Sequence, residues 1–422
     1  MQSTTNTYTR KLDWVTILLY IVLVIMGWMA IYAAGYDEQK PFIFNFAKTY
    51  GKQLVFIAVA AILIVAIIIT DSKFFPTFAY VVYAIALFLN AAVLVAGHRV
   101  NGAISWFAIG GFQLQPAEVA KFAAVLALAK YMSSQQTDLK TLKAKLIAIA
   151  IFALPAMLIV LQGNAGSALV YAAVFIVLYR FGMPGYVLLL GMYLITISIL
   201  ALILDKIIFA IVLGVIMAVF FYVFRRRRNI LYIIGAIGVA SILYIFAANF
   251  VFNKVLQPHQ QRRISVLLGK HVTDIKDADY NVKQSKTAIG SGGFLGKGYL
   301  KGTLTQYNFV PEQSTDFIFC TVGEEGGFVI SSLVVIIFIA LIGRVLMLAE
   351  RQRSLFSKVY GFGVAAILFV HVAVSVGMTI GLAPVIGIPL PFFSYGGSGL
   401  LSFTILLFIL VKLDNDRLAV IR

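Results

Sequence analysis

Apolar residues run through this chain in unbroken blocks of about twenty, not in strict alternation and not as one-sided stripes. Twelve blocks are legible: 14–34, 52–70, 78–97, 117–132, 145–161, 166–181, 184–204, 207–224, 229–252, 318–348, 358–382 and 398–412. In lipid, a segment of this length satisfies its own backbone hydrogen bonds as a helix. A membrane β-barrel would instead show alternating stretches of about ten residues. The pattern predicts an all-α polytopic membrane protein, a helical bundle of about 12 transmembrane helices forming one integral domain over residues 1–422. The first block is too long for the core of a signal peptide and is read as a retained first helix.

The polar segments between the blocks are of two kinds. One set is short and basic. The other contains 98–116 (HRVNGAISWFAIGGFQLQP), the tight turn 162–166 (QGNAG), the long stretch 253–317 and the Gly/Pro-rich 383–397 (APVIGIPLPFFSYGG). With a cytoplasmic N-terminus, the short inner loops and tails hold about 18 Lys/Arg and the short outer loops about five, as the positive-inside rule requires. The inner set includes Arg10, Lys11, Lys140, Lys143, Lys145, the run Arg225–Arg228, Arg351, Arg353, Lys358, Lys412 and Arg417. A binding or catalytic site is therefore expected on the outer face, where the loops are long and chemically varied.

Composition narrows the classes. Hydrophobic residues make up 61% and charged residues 12%, with a mean hydropathy of +0.96. That excludes a soluble enzyme, a disordered chain, a coiled coil and a secreted disulfide scaffold. The net charge is 34 − 17 = +17. Because the basic residues sit in short loops, where they meet anionic lipid and set topology, no nucleic-acid partner is expected. The lone Cys320 excludes an internal disulfide and any multi-cysteine motif. His98, His259, His271 and His371 are scattered, without the spacing of metal ligands.

Several residues could carry chemistry. The 253–317 stretch holds nine Lys/Arg against five Asp/Glu, a surplus of four beside the membrane. Such a surface suits a phosphate or pyrophosphate group, or simply a solvated loop resting on anionic lipid. Its AIGSGGFLGKG segment is not a P-loop, since Ser291 stands where glycine is required and Gly298 follows Lys297. The glycines permit close backbone approach to an anion or a plain turn. Asp316 falls where polar loop gives way to apolar helix, as a helix cap or as a base for a substrate hydroxyl. Glu324 and Glu325 enter apolar sequence, where a carboxylate marks a functional site or a structural ion pair. Glu118 and Lys121, at i and i+3, share a helix face and can pair. In GIPLPFFSYGGSG, Pro389 and Pro391 stop helix and Gly396, Gly397 and Gly399 allow close packing, the marks of a re-entrant segment buried in protein.

Taken together, NGAISWF, GGFQLQPAEVAK, QPHQQRRI, QSKTAIGSGGFLGKG, FVPEQSTDFIFCTVGEEGG and GIPLPFFSYGGSG resemble, in order over about residues 101–400, the SEDS family of peptidoglycan glycosyltransferases. Of its RodA and FtsW branches, the opening LDWVTILLYIVLVIMGWMAIYAA looks more like RodA. The family usually has ten spans, so the resemblance implies a core of ten plus an extra hairpin near 184–224, with 253–317 as a large extracytoplasmic loop. Two positions depart from the family pattern: Gly163-Asn164 stands where Pro-Asp is common, and Ser375 where Asn is common.

The resemblance implies polymerisation of lipid II at the outer face of the cell inner (cytoplasmic) membrane, both termini being cytoplasmic, for elongation and rod shape. It implies Asp316 as the catalytic base, and Trp106, Gln115, Glu118, Lys121, Arg263, Lys286, Lys297, Glu312, Glu325, Ser394, Gly396 and Gly397 around the substrate. A divalent cation (Mg2+ or Mn2+) could assist the pyrophosphate, with no organic cofactor. Implied partners are a class B penicillin-binding protein, elongation-complex proteins and membrane lipids. Three other readings compete: the division-type FtsW role, a lipid II flippase or transporter, and a scaffold that recruits a transpeptidase. Against transport, the polar residues gather on one side and not at the midplane.

Overall fold

The computed structural model describes residues 12–36, 43–100, 103–109, 112–134, 141–204, 206–223, 225, 228–255, 261, 278–307 and 309–418. Each of the twelve hydrophobic blocks is helical. The helices are α1 (Trp14–Ala34), α2 (Thr49–Ile69), α3 (Phe74–Ala96), α4 (Pro116–Met132) and α5 (Leu142–Leu161), then α6 (Ala165–Leu169) and α7 (Ala173–Arg180), joined by one 3-10 turn. They continue as α8 (Gly185–Ile203), α9 (Lys206–Val223), α10 (Arg228–Phe250), α11 (Ala278–Gly292), α12 (Thr303–Gln306), α13 (Ile318–Glu350), α14 (Leu355–Thr379) and α15 (Gly397–Asn415). Among the described residues, nine helices are long and apolar enough to cross a membrane. The shorter runs Ala165–Arg180 and Ile207–Val223, with α4, complete the twelve.

The chain forms two compact units, Met1–Met183 with Asn281–Arg422, and Pro184–Tyr280. In the larger unit, burial sorts the helices into inner and outer members. The most apolar window of α15 is 83% buried and that of α2 only 11%, so α15 is a core helix and α2 faces lipid. The α4 helix is buried nearly all round because alanines at 117, 120, 123, 124, 127 and 129 let α3, α5, α14 and α15 close on it. The smaller unit has its own core of Ile197, Ala201, Phe209 and Ile245. Hydroxyl pairs (Tyr193–Ser241 at 2.7 Å, Ser198–Tyr244 at 2.8 Å) hold α8 to α10.

The polar segment 98–116 holds a feature that block-reading does not predict, a small antiparallel sheet. Its strands β1 (His98–Val100), β2 (Ala103–Ile109) and β3 (Phe112–Leu114) run in the order β1-β2-β3, with His98 opposite Trp106 and Phe107 opposite Leu114.

The glycine-rich 293–298 segment also finds its partner in the fold. The helical path of α13 breaks at Gly327 (φ 61°, ψ −161°). The turn lies along this break: Lys297 and Gly298 donate to the Glu324 and Glu325 carbonyls, each at 3.0 Å, and Phe328 donates to the Gly293 carbonyl at 3.0 Å. A Cβ on Gly327 would stand 2.2 Å from the Gly296 nitrogen. The glycines here bring one backbone against another, and the exposed amides satisfy a broken helix.

Candidate active site at one end of the bundle

The four outer segments predicted from sequence meet at one end of the larger unit. Ile104 N–H donates to the Gln162 carbonyl at 2.9 Å, joining the sheet to the 162–166 turn. Gly166 lies so close to Ile386 that a Cβ would fall 1.8 Å from its oxygen, joining that turn to 383–397. Tyr395 N–H donates to the Ser314 carbonyl at 2.9 Å, joining 383–397 to the Asp316 segment.

Asp316 is presented by a tight turn. Thr315 and Phe317 both donate their N–H groups to the Glu312 carbonyl, at 3.1 and 3.2 Å, and Glu312 itself adopts φ 54°. The exposed Glu312 carboxylate accepts from the Thr315 hydroxyl at 3.0 Å. Because α13 begins at Ile318 with Phe317 in the N-cap position, Asp316 stands one residue outside the cap. Its half-buried carboxylate lies against Gly387: a Cβ there would come within 3.1 Å of Oδ2. Gly387 has φ 70°, so glycine is needed on both counts.

The 383–396 segment is non-helical and buried or half-buried throughout, as suits a re-entrant element. It is pinned along its length. His371 Nδ1 lies 3.3 Å from the Pro389 oxygen. Leu390 N–H donates to Ser394 Oγ at 2.9 Å, closing the turn. Phe393 rides on Gly27, where a Cβ would meet its backbone at 2.5 Å. Gly396 N–H donates to Gln53 Oε1 at 3.3 Å. Gly397 abuts the Phe56 ring. Ser394, Gly396 and Gly397 thus shape the segment.

Glu118 and Lys121 form the ion pair their spacing predicts, at 2.6 Å and almost fully buried. Glu118 lies below the N-terminus of α15, with Oε2 4.0 Å from a Cβ built on Gly399. The Lys121 ammonium is 5.2 Å from the Phe403 ring centroid. Gln115 is buried at the N-cap of α4 without making a side-chain cap bond. Trp106 sits half-buried on β2. Lys286 is exposed on α11, its chain 3.2 Å from a Cβ built on Gly381. Lys297 is part-exposed, and its ammonium donates to Glu324 at 2.6 Å and to Thr303 Oγ1 at 2.9 Å. Glu324 also accepts the Leu304 and Thr305 amides, each at 2.9 Å, so this carboxylate holds the loop against α13. Glu325 is buried beside it. Arg263 lies outside the described residues, as do Arg226 and Arg227 of the basic run.

Gly387, His371, Gln53, Gly27 and Ser314 escaped the sequence reading. Each acts on the site through a segment distant in the chain, and no local pattern marks it. Among the described residues no group of three or more His, Cys, Asp or Glu could hold a metal ion.

The fold and site define a polytopic helical membrane protein with a half-buried carboxylate at one end, enclosed by a re-entrant segment. The family model for FtsW, RodA and SpoVE, described as a cell cycle protein, matches residues 13–209 and 185–418. The chain belongs to that family. It is 30% identical to "Peptidoglycan glycosyltransferase RodA" of Treponema pallidum, over 96% of this chain and 98% of the relative. It is 29% identical to "Peptidoglycan glycosyltransferase MrdB" of Escherichia coli (92% and 90% covered) and 32% identical to the MrdB of Helicobacter pylori (86% and 82% covered). Among solved structures, a chain of a peptidoglycan synthase complex shares the fold with a TM-score of 0.71, at 24% identity, covering 96% of this chain and 98% of that one. The rod shape determining protein RodA of Thermus thermophilus follows at 0.62 and 23% identity, covering 96% and 97%.

Proposed function

We propose that this chain is a peptidoglycan glycosyltransferase that polymerises lipid II, with Asp316 as its base. The observation that carries the reading is the placement of Asp316, a half-buried carboxylate backed by Gly387 where four loop segments converge. The acceptor's GlcNAc 4-hydroxyl gives its proton to the Asp316 carboxylate as its oxygen attacks the anomeric carbon of the donor's MurNAc. The bond to the undecaprenyl pyrophosphate breaks, a β-1,4 bond forms, and configuration inverts. Arg263, Lys286 and Lys297 are the cations assigned to the departing pyrophosphate, Lys297 from its ion pair with Glu324. On this reading the 383–397 segment lies beside the substrate, and the Glu118–Lys121 pair supports that segment from beneath the start of α15.

The same reading places the protein in the cell inner membrane with both termini in the cytoplasm and the site outside. A class B penicillin-binding protein is its working partner, in cell elongation and rod shape. The test is lipid II polymerisation in detergent by the purified chain with that partner. Asp316→Asn should lower the rate by about 10²–10⁴-fold while the protein stays folded. Glycan strands formed at the parental rate by this variant would refute the assignment.

A further inference from the structure

The re-entrant segment cannot satisfy its own backbone. Pro389 and Pro391 remove two N–H donors from five residues (GIPLP), which leaves carbonyls of the segment, the half-buried one of Pro389 among them, to find partners elsewhere. His371 supplies one to Pro389 from the middle of α14. The Pro389 oxygen can only accept, so Nδ1 carries the proton. Packing fixes the ring in the orientation this bond needs. The residue is 1% exposed, and its ring stands edge-on to Phe403, with centroids 4.7 Å apart and planes at 85°. Lys121 reaches the same Phe403 ring. Nε2 makes no hydrogen bond in the structure. The described bonds through Ser394, Ser314 and Gln53 all grip residues 390–396. The bond from His371 falls only two residues from Gly387, whose backbone backs Asp316.

We infer that His371 is a positioning residue: through the Pro389 carbonyl it fixes Gly387, and through Gly387 the place of the Asp316 carboxylate. The inference rests on Asp316 being the base. His371 is buried and reaches the site only through the Pro389 carbonyl, so its loss should act on the chemical step and leave binding of lipid II unchanged. Displacing a reacting group by about 1 Å can cost on the order of 10²-fold.

The experiment compares His371→Asn with His371→Gln in the purified chain with its partner transpeptidase, measuring kcat and KM for lipid II. An asparagine amide reaches the place of Nδ1; a glutamine amide reaches the place of Nε2 and leaves the Pro389 oxygen unbonded. His371→Gln should lower kcat by about 10- to 100-fold with KM unchanged, and His371→Asn should restore most of it. In an Asp316→Asn background, His371→Gln should cost nothing further. Should His371→Gln fail to fold, His371→Phe, which keeps the edge-on ring, replaces it. Equal kcat for the Asn and Gln variants, or an undiminished loss in the Asp316→Asn background, overturns the inference. A parental rate for Asp316→Asn alone instead overturns the reading of the base, so the two failures are distinguishable. Ser375→Ala, one turn along the same buried face, is the control and should leave kcat where it was.

Discussion

Both ends of the larger unit bury carboxylates, and they treat them in opposite ways. At the end away from Asp316, Asp13 caps α1, accepting from Thr16 N–H at 3.0 Å, and is clasped by Arg344 of α13 and by Arg351 at 3.4 Å. Arg351 also binds Asp414 of α15, which takes Gln352 at 2.9 Å and Arg417 at 3.0 Å as well. Each acid meets two arginines, and the clasp ties α1, α13 and α15. At the other end, the turn carrying Asp316 is organised by backbone carbonyls and a glycine, and Lys286 stays exposed. Glu118 has one lysine and an Oε2 without a partner. At the Asp13 end, the charges that hold helices together are clasped by arginines. Asp316, the base in the proposed function, follows a turn whose backbone bonds to Glu312 set the path of the chain, and its carboxylate lies against Gly387.

The largest expected separation is in rate. Asp316→Asn should cost about 10²–10⁴-fold in polymerisation with an unchanged melting temperature, whereas Asp414→Asn should leave the rate per folded molecule unchanged. Gly387→Ala comes next. Its Cβ would press on Asp316 Oδ2 at 3.1 Å, at a backbone φ of 70°. The rate should fall on the order of 10²-fold and stability by about 1–3 kcal/mol, read by lipid II turnover and thermal melting. A Gly387→Ala protein that melts earlier but polymerises normally would detach Gly387 from the chemistry.

The clasp should show the reverse. Asp13→Asn strips two part-exposed arginines of a buried partner, at a cost of up to about 3–5 kcal/mol, with the rate per folded molecule unchanged. Burial alone would lift the Asp13 carboxyl, but hydrogen bonds from Arg344 and Thr16 outweigh it and hold its pKa at about 2, against 3.8 ordinarily. A depressed carboxyl contributes stability that is fully present above the unfolded value and is lost as pH falls through the folded one. Melting of the parent protein should therefore lose a component between about pH 4 and pH 2 that Asp13→Asn lacks.

How much of this was legible in the sequence follows from the range of each interaction. Helices came from block length alone, since lipid leaves an apolar run of twenty no other state. The Glu118–Lys121 pair was legible because i and i+3 lie on one face, and the re-entrant segment because Pro389, Pro391 and the following glycines forbid a regular helix. The sheet over 98–114 was not: seven residues of AISWFAI carry no clear alternation, and their pairing is fixed by short strands on either side. The 288–298 glycines were legible as sites of close approach, yet what they approach, the break at Gly327, lies beyond two further turns of chain. Asp316 was legible as a candidate. The Gly387 that seats it, and the His371 that holds the segment, belong to regions that only the fold brings near.

The smallest expected effect tests whether burial, and not the mere count of ion pairs, separates the two ends. Glu350 binds Arg180 of α7 and, at 2.8 Å, Lys358 of α14, so on paper it is clasped by two cations just as Asp13 is. The difference is water: the Glu350 side chain is 46% exposed and that of Asp13 only 4%. Solvent already screens the Glu350 charges, and ordering two long side chains opposes the gain. Glu350→Gln should therefore change stability by less than about 1 kcal/mol, and added salt should erase even that. Asp13→Asn should keep most of its cost at high salt, because its carboxylate is shielded from the ions. Equal losses for the two variants would mean that the clasp is strong through its number of partners, and that depth in the bundle is not what makes a carboxylate structural.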